Sequence, residues 1–520
     1  MTGPPVAGKS ASAPTKLWVY FKDKGFTSPE AEQAAIRGLK DSYDPHAVAR
    51  RAARRSLPGL FDQSDLPVAA SYTDAVARIG VRLHVQSKWL NAVSVYATPK
   101  QAAALKTLPF VRGIEPVRGG RRPEVPGASE RPETTVQQPP SDDDYGLAHD
   151  QLDQIQLIAV HNLGFTGSGM RIGILDTGFK RSHIAFHHPS HPLQVIAEHD
   201  FVKNDGNTAP EAGDDPDQHT HGTMILGTLG AYIPGTLLGA AYDASFILCK
   251  TEDVPTETPV EEDNYVGGLE FIESHGGDVA TASLVYSDWY TYSQFNGLTA
   301  PTTIAVNLAT SNGMYCCNAV GNSGHDSDPL IGHIAGVPAD AFKVLSIGAV
   351  DSGGAIAGFS SDGPTADGRL KPEILARGVS TFSVSPSDDS GYVTASGTSL
   401  STPLAAGAVT CLAQARPWWS VDKMRARLMN TAGDFVAFGH PDPLMVRGYG
   451  ILNALAALDC YSNCDDSTAT PTLTANDFQC FLNSFSAASI YSNCDRSSTV
   501  PVLTANDFQC FLNAFAAGCS

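Results

Sequence analysis

Residues 170–178 read Met-Arg-Ile-Gly-Ile-Leu-Asp-Thr-Gly. A short apolar run that ends in an acidic residue and a Gly-containing turn is how a strand buried on both faces reads. The same form returns at 244–250 (ASFILCK), 276–285 (GGDVATASLV), 313–324 (GMYCCNAVGNSG) and 343–350 (KVLSIGAV), with helical stretches between the runs. Residues 144–457 are therefore predicted to form an α/β domain built on a doubly wound, mostly parallel sheet. Such sheets gather their functional groups where strands end and helices begin, and Asp176 stands at such an end.

Working outward from Asp176, His221-Gly222-Thr223 opens the helical run MILGTLGA, and Gly397-Thr398-Ser399-Leu400-Ser401-Thr402-Pro403 leads into LAAGAVTCLAQA. A serine at a helix N-terminus has unpaired backbone N–H groups and the positive end of the helix dipole beside it, both favourable to a developing oxyanion. Proline is tolerated in a first helical turn and clashes deeper in, so the helix is expected to begin near Ser399. Asn322, in Ala-Val-Gly-Asn-Ser-Gly, ends another of the apolar runs.

The order Asp, His, Ser, carried by DTG, HGT and GTSLSTPLAAGAV, resembles the subtilisin family over roughly residues 145–457. The resemblance implies a serine endopeptidase acting on protein or peptide substrates. Ser399 is then the nucleophile, His221 the proton carrier, Asp176 its orienting carboxylate and Asn322 an oxyanion donor, with Ser283, Leu284 and Gly321 binding substrate. It implies no cofactor for the chemistry and allows a structural calcium, for which no ligands can be mapped. Two positions depart from the family. Val285 follows Ser283-Leu284 where glycine is usual, which predicts a narrow pocket and small side chains before the cut bond. Ala376-Arg377-Gly378 replaces Ala-Pro-Gly. No G-x-S-x-G surrounds Ser399, so another serine hydrolase class is disfavoured. The rival reading is an inactive protease-like scaffold whose C-terminal module mediates binding or surface attachment. His187, His188 and His191 cluster without metal-ligand spacing, and His219 lacks the Gly-Thr context of His221.

Residues 16–118 read as a small α+β domain after a leader, 1–15, expected to be disordered. Strands are predicted at 17–21, around 81–85, at 89–95 and at 110–117, with helices from Pro29 and from Pro99. The domain resembles an inhibitor-type protease propeptide, which would make it an intramolecular partner of the catalytic domain. Arg50, Arg51, Arg54 and Arg55 are expected on a solvated helix face. Residues 119–143, rich in Pro, Glu, Ser and Thr, read as an exposed linker in which the propeptide is cut.

Residues 458–520 are a duplication: Tyr461-Ser-Asn-Cys-Asp465 recurs at 491–495 and LTANDFQCFLN at 473–483 recurs at 503–513. They resemble a dockerin, implying a cohesin-like or cell-surface partner, although alternating loop ligands are missing. Six of the ten cysteines fall here, a density that suits an oxidising compartment and predicts an extracellular or cell-surface protein. A net charge of −19 disfavours a nucleic-acid partner. No apolar run is long enough to span a bilayer, and the opening residues lack the apolar core of a signal peptide.

Overall fold

The computed structural model describes residues 13–118, 134–136, 144–254, 261–287, 290–326, 336–458, 461–465, 471, 473–494, 497 and 501–518. Most of the expected leader and linker, together with Cys460 and Cys519, lie outside these residues.

Seven parallel strands form the central sheet, in the spatial order Ile374–Arg377, Leu345–Val350, Tyr315–Ala319, Val279–Ala282, Arg171–Asp176, Ser245–Lys250 and Gln194–Asp200. Period-2 alternation feeds two cores. Ile172 and Ile174 face one, with Phe246 and Leu248, whereas Leu175 faces the other, with Ile247 and Cys249. Helices Thr220–Gly230 and Thr398–Ala415 cover the first face, and Glu262–Ser274 and Pro301–Ser311 the second. The direction of winding reverses between Arg171–Asp176 and Val279–Ala282. Their carboxyl ends are the topological switch point, where open α/β sheets bind their ligands. The two strands that sequence reading passed over, Gln194–Asp200 and Ile374–Arg377, are the sheet's edges, and the first is only partly buried.

The N-terminal domain is a four-stranded antiparallel sheet in the order Arg82–Ser87, Ala92–Ala97, Thr15–Phe21 and Val111–Pro116. Its first strand already includes Thr15, inside the predicted leader. The predicted strand 89–95 begins later, at Ala92, because Asn91 turns through a positive φ of 50°. Helix Ala70–Ala77 was not anticipated; its mixed sequence, ASYTDAVA, carries a weak pattern.

The arginine cluster requires a correction. Arg50, Arg51 and Arg54, on or ending helix Pro45–Arg54, are buried rather than solvated. They meet carboxylates of the catalytic domain: Arg50 and Arg51 lie 2.7 and 2.8 Å from Glu273, and Arg54 lies 3.2 Å from Asp278. Helix Glu262–Ser274 offers the N-terminal domain a row of such groups. Asp263 binds Lys16 at 2.7 Å, Glu270 accepts from the Ser87 hydroxyl and the backbone N–H groups of Lys88 and Trp89, and Glu273 also binds Lys88. Spacings of seven and three residues put Asp263, Glu270 and Glu273 on one helical face.

The C-terminal repeats form two like helices, Ala475–Ser486 and Ala505–Ala517, each with a Thr–Asp capping box. Phe481 and Phe511 stack at 4.2 Å in their shared core, and the hydroxyls of Tyr461 and Tyr491 each donate to the other's carbonyl. Disulfides Cys464–Cys480 and Cys494–Cys510 pin each repeat's entry to its helix. Cys249, Cys316, Cys317 and Cys411 are free and buried.

Candidate active site

Asp176 is the last residue of its strand and fully buried. Its Oδ1 accepts hydrogen bonds from the Thr177 backbone N–H at 2.7 Å and the Thr177 hydroxyl at 3.1 Å, and lies 2.7 Å from His221 Nδ1. The Thr177 hydroxyl also accepts from the Gly222 N–H at 3.1 Å, tying the strand end to the start of helix Thr220–Gly230. Two glycines permit this approach. A Cβ on Gly222 would lie 2.3 Å from the Gly178 carbonyl and 3.0 Å from Asp176 Oδ1. Gly178 has a φ of +118° and a Cβ there would lie 2.5 Å from the His219 ring. With Nδ1 committed to Asp176, the imidazole turns Nε2 to its opposite edge.

On the neighbouring strand Ala282 is in register with Leu175, so Ser283 comes level with Asp176, about 5 Å away across the ladder. Ser283 holds the nucleophile candidate from two sides: the Ser399 hydroxyl donates to the Ser283 carbonyl at 3.3 Å, and the Ser283 hydroxyl donates to the Ser399 carbonyl at 2.8 Å. The second bond also accounts for Pro403, which lies beyond the first turn of helix Thr398–Ala415 rather than within it as expected. Proline removes the N–H that would reach back four residues, to the Ser399 carbonyl. The Ser283 hydroxyl supplies the missing donor.

Asn322 Oδ1 accepts from the Thr398 backbone N–H at 2.9 Å and from its hydroxyl at 3.0 Å. Fixing the amide oxygen toward Thr398 leaves the amide nitrogen as the group presented on the other side. Gly321, beside it, has a φ of +107°. Leu284 is buried, and its carbonyl accepts from Asn318 Nδ2 at 2.9 Å. The structure thus brings Asp176, His221, Ser283, Ser399 and Asn322 to one edge of the sheet.

Sequence reading did not single out Thr177, Thr398 or Gln218. The threonines belong to the quoted motifs and could have been weighed there. Gln218 carries no local signal; its amide donates to the Thr177 and Glu252 carbonyls and accepts from the Val254 N–H, joining two loops distant in sequence. His219 pairs with Asp214 at 3.4 Å, and burial, with Lys250 acting the same way, pushes it down to about 4. In the histidine cluster, His191 pairs with Asp243 and stacks on Tyr232 at 3.9 Å. Among the described residues one trio of carboxylates converges, Asp200, Asp205 and Glu211. Two ammonium groups already serve it: Lys250 lies 2.9 Å from Asp200, and Lys203 lies 3.2 Å from Glu211.

The sequence profile of the subtilase family matches residues 167–456, and that of the Peptidase S8 propeptide domain of Bacteroidota matches residues 16–130. The chain is similar to subtilisin BL of Lederbergia lenta, with 31% identity over 310 residues covering 59% of this chain and 97% of that one. It is similar also to subtilisin E of Bacillus subtilis (strain 168), with 28% identity over 365 residues covering 70% and 81%. Among solved structures it is similar to fervidolysin from Fervidobacterium pennivorans, described as a keratinolytic enzyme related to subtilisin. That TM-score is 0.57 at 21% identity, over 86% of this chain and 61% of fervidolysin, a likeness of fold.

Proposed function

The chain belongs to the subtilase family of serine endopeptidases, and on that premise we propose that it cleaves peptide bonds through an acyl-enzyme formed on Ser399. The observation that carries this reading is that a carboxylate-bound imidazole, and a serine tied to the neighbouring strand end, both stand at the switch point of the sheet. Ser399 Oγ attacks the substrate carbonyl. His221 takes its proton through Nε2 and returns it to the leaving amine, while Asp176 holds the tautomer and stabilises the imidazolium. The Asn322 amide N–H and the Ser399 backbone N–H receive the tetrahedral oxygen. In subtilisin, a relative, removing the side-chain donor costs about 2.7–4 kcal/mol of transition-state stabilisation. Ser283 and Leu284 line the substrate strand, with Gly321 beside the oxyanion site, and Val285 narrows the pocket for the side chain before the cut. Cleavage chiefly after Phe or Leu in a peptide library would overturn that preference.

The N-terminal domain acts as an intramolecular inhibitor until the chain is cut between residues 118 and 145; sequencing the mature N-terminus tests this. The C-terminal repeats act as a docking or attachment module outside the cell, supported by their two disulfides. Asp477 accepts from the backbone N–H groups of Asp465 and of Thr474, which ties the repeat's entry to its helix as the disulfide Cys464–Cys480 does. Elsewhere Lys250 and Lys203 already compete for the charge of Asp200 and Glu211, two of the three carboxylates that converge there, and no step passes through a metal. Among the described residues no helix is long and apolar enough to cross a membrane.

Mass spectrometry of casein digested by wild type and by Ser399→Ala tests the reading. Peptides from the wild type alone are expected, and equal digestion by both overturns it. Labelling of Ser399 by a fluorophosphonate separates this enzyme from an inactive scaffold.

A further inference from the structure

Gln218 is buried, 2% exposed, in the loop that leads into helix Thr220–Gly230, three residues before His221. Its backbone N–H donates to the Asp215 carbonyl at 3.0 Å, and its side chain reaches three further backbone groups. The amide nitrogen donates to the Thr177 carbonyl at 2.7 Å and to the Glu252 carbonyl at 2.6 Å, while the amide oxygen accepts from the Val254 N–H at 3.0 Å. The position thus calls for two donors and one acceptor at the end of a single side chain. A carboxylate lacks the donors and an ammonium lacks the acceptor, whereas an amide supplies both.

The groups it joins surround Asp176. Strand Ser245–Lys250 lies in register beside Arg171–Asp176, so residues 251–254 leave the sheet at the same edge, and the Thr251 N–H donates to the Asp176 carbonyl at 2.8 Å. On the other side, the Thr177 N–H and hydroxyl both donate to Asp176 Oδ1, the atom that meets His221 Nδ1 at 2.7 Å. The Thr177 carbonyl is then the one group by which that residue is held from outside. It belongs to the peptide before Gly178, whose φ of +118° lies where side-chain-bearing residues are strained. A peptide beside glycine turns easily, and the Gln218 amide fixes this one.

We propose that Gln218 is a positioning residue of the reaction: by clamping the Thr177 peptide, it holds the Asp176 carboxylate at the angle from which Oδ1 meets the imidazole. The proposal rests on the serine endopeptidase reading. Because Gln218 stands on the loop that delivers His221, one side chain registers the imidazole's helix entry and the carboxylate's strand end against each other. A displacement of about 1 Å at such a pair can cost about a hundredfold in rate.

Peptide hydrolysis by the mature enzyme is measured per active site, with sites counted by fluorophosphonate labelling carried to completion. Gln218→Met keeps the length of the side chain and removes its hydrogen bonds; kcat is expected to fall by about tenfold or more, with KM within about threefold of wild type. Thr177→Val is expected to lower kcat in the same way, and Thr177→Ser, which keeps the hydroxyl, to restore most of it. In the double variant Gln218→Met/Thr177→Val the combined loss is expected to be smaller than the product of the two single losses, since both act on one carboxylate. An unchanged kcat in Gln218→Met, or two losses that multiply, overturns the proposal. A rise in KM alone also overturns it, because the residue then serves the 252–254 segment rather than Asp176. In each of these cases cleavage by the wild type upholds the protease, whereas a wild type that cleaves nothing overturns both. If Gln218→Met does not fold, Gln218→Asn, which keeps the amide but draws it back by one methylene, is judged by the same criteria.

Discussion

The catalytic domain meets its two neighbours through opposite kinds of contact. On the N-terminal side, Lys16, Arg50, Arg51, Arg54 and Lys88 enter a row of buried carboxylates. On the C-terminal side, Trp418 meets Tyr461 and Tyr491 edge-on at 6.1 and 5.2 Å, around a cleft of about 380 Å³. A buried ionic contact is specific but collapses when one partner is lost or neutralised. An aromatic contact beside a disulfide-stapled unit degrades gradually. The first suits a domain that must be held and then released, the second a module that stays attached.

The largest effect is expected from Glu273→Ala, which removes the carboxylate shared by Arg50, Arg51 and Lys88 and leaves Arg51 with Asp65 alone. Breaking one partner of a buried ion pair costs about 3–5 kcal/mol. Calorimetry of the uncut Ser399→Ala chain should show a correspondingly weaker union of the two domains; an unchanged transition would break the comparison.

Acid should act on the same group. Burial pushes the Glu273 carboxyl up, but Lys88, Arg50 and Arg51 outweigh it and bring it down to about 2. A carboxylate depressed from its unfolded value near 4.3 contributes stability above that value and loses it as pH falls to the folded one, roughly 3 kcal/mol here. The expected weakening of the N-terminal interface falls between about pH 4.3 and 2, followed by analytical ultracentrifugation of the separated domains. The C-terminal contact should change little over that range.

Reduction should do the reverse. Each described disulfide spans a sequence separation of 16 residues, and closing a loop of that size stabilises by about 3 kcal/mol. Dithiothreitol should make residues 461–518 sensitive to proteolysis while leaving casein hydrolysis intact. The smallest change is expected from Trp418→Ala, since an aromatic pair contributes about 0.5–1.5 kcal/mol beyond its buried area. Faster nicking between the catalytic domain and the repeats, with unchanged activity, is the expected readout.

Much of the catalytic fold was legible because buried parallel strands announce themselves as unbroken apolar runs, and the residues closing those runs at 176 and 322 belong to the candidate site. The edge strands at 194–200 and 374–377 were not: the first is only partly buried and mixed in composition, and the second is a run of only four residues. Helix 45–54 shows the sharper failure. Four arginines in six residues look like a solvated face when read locally, and it is the distant carboxylates of Glu273 and Asp278, together with the nearer Asp65, that stabilise their burial.

Sequence alone determined the residue types and their order: Asp176, His221 and Ser399 in their glycine- and threonine-bearing frames, and the duplicated cysteine pattern of the C-terminal repeats. Tertiary structure decided what those residues touch. It put Ser283 level with Asp176 by strand register, gave Pro403 its tolerance by lending the Ser399 carbonyl a hydroxyl donor, and buried Arg50 and Arg51 against Glu273. Local pattern encodes conformation, whereas the partners of a buried polar group are chosen by whichever distant segment the fold lays beside it.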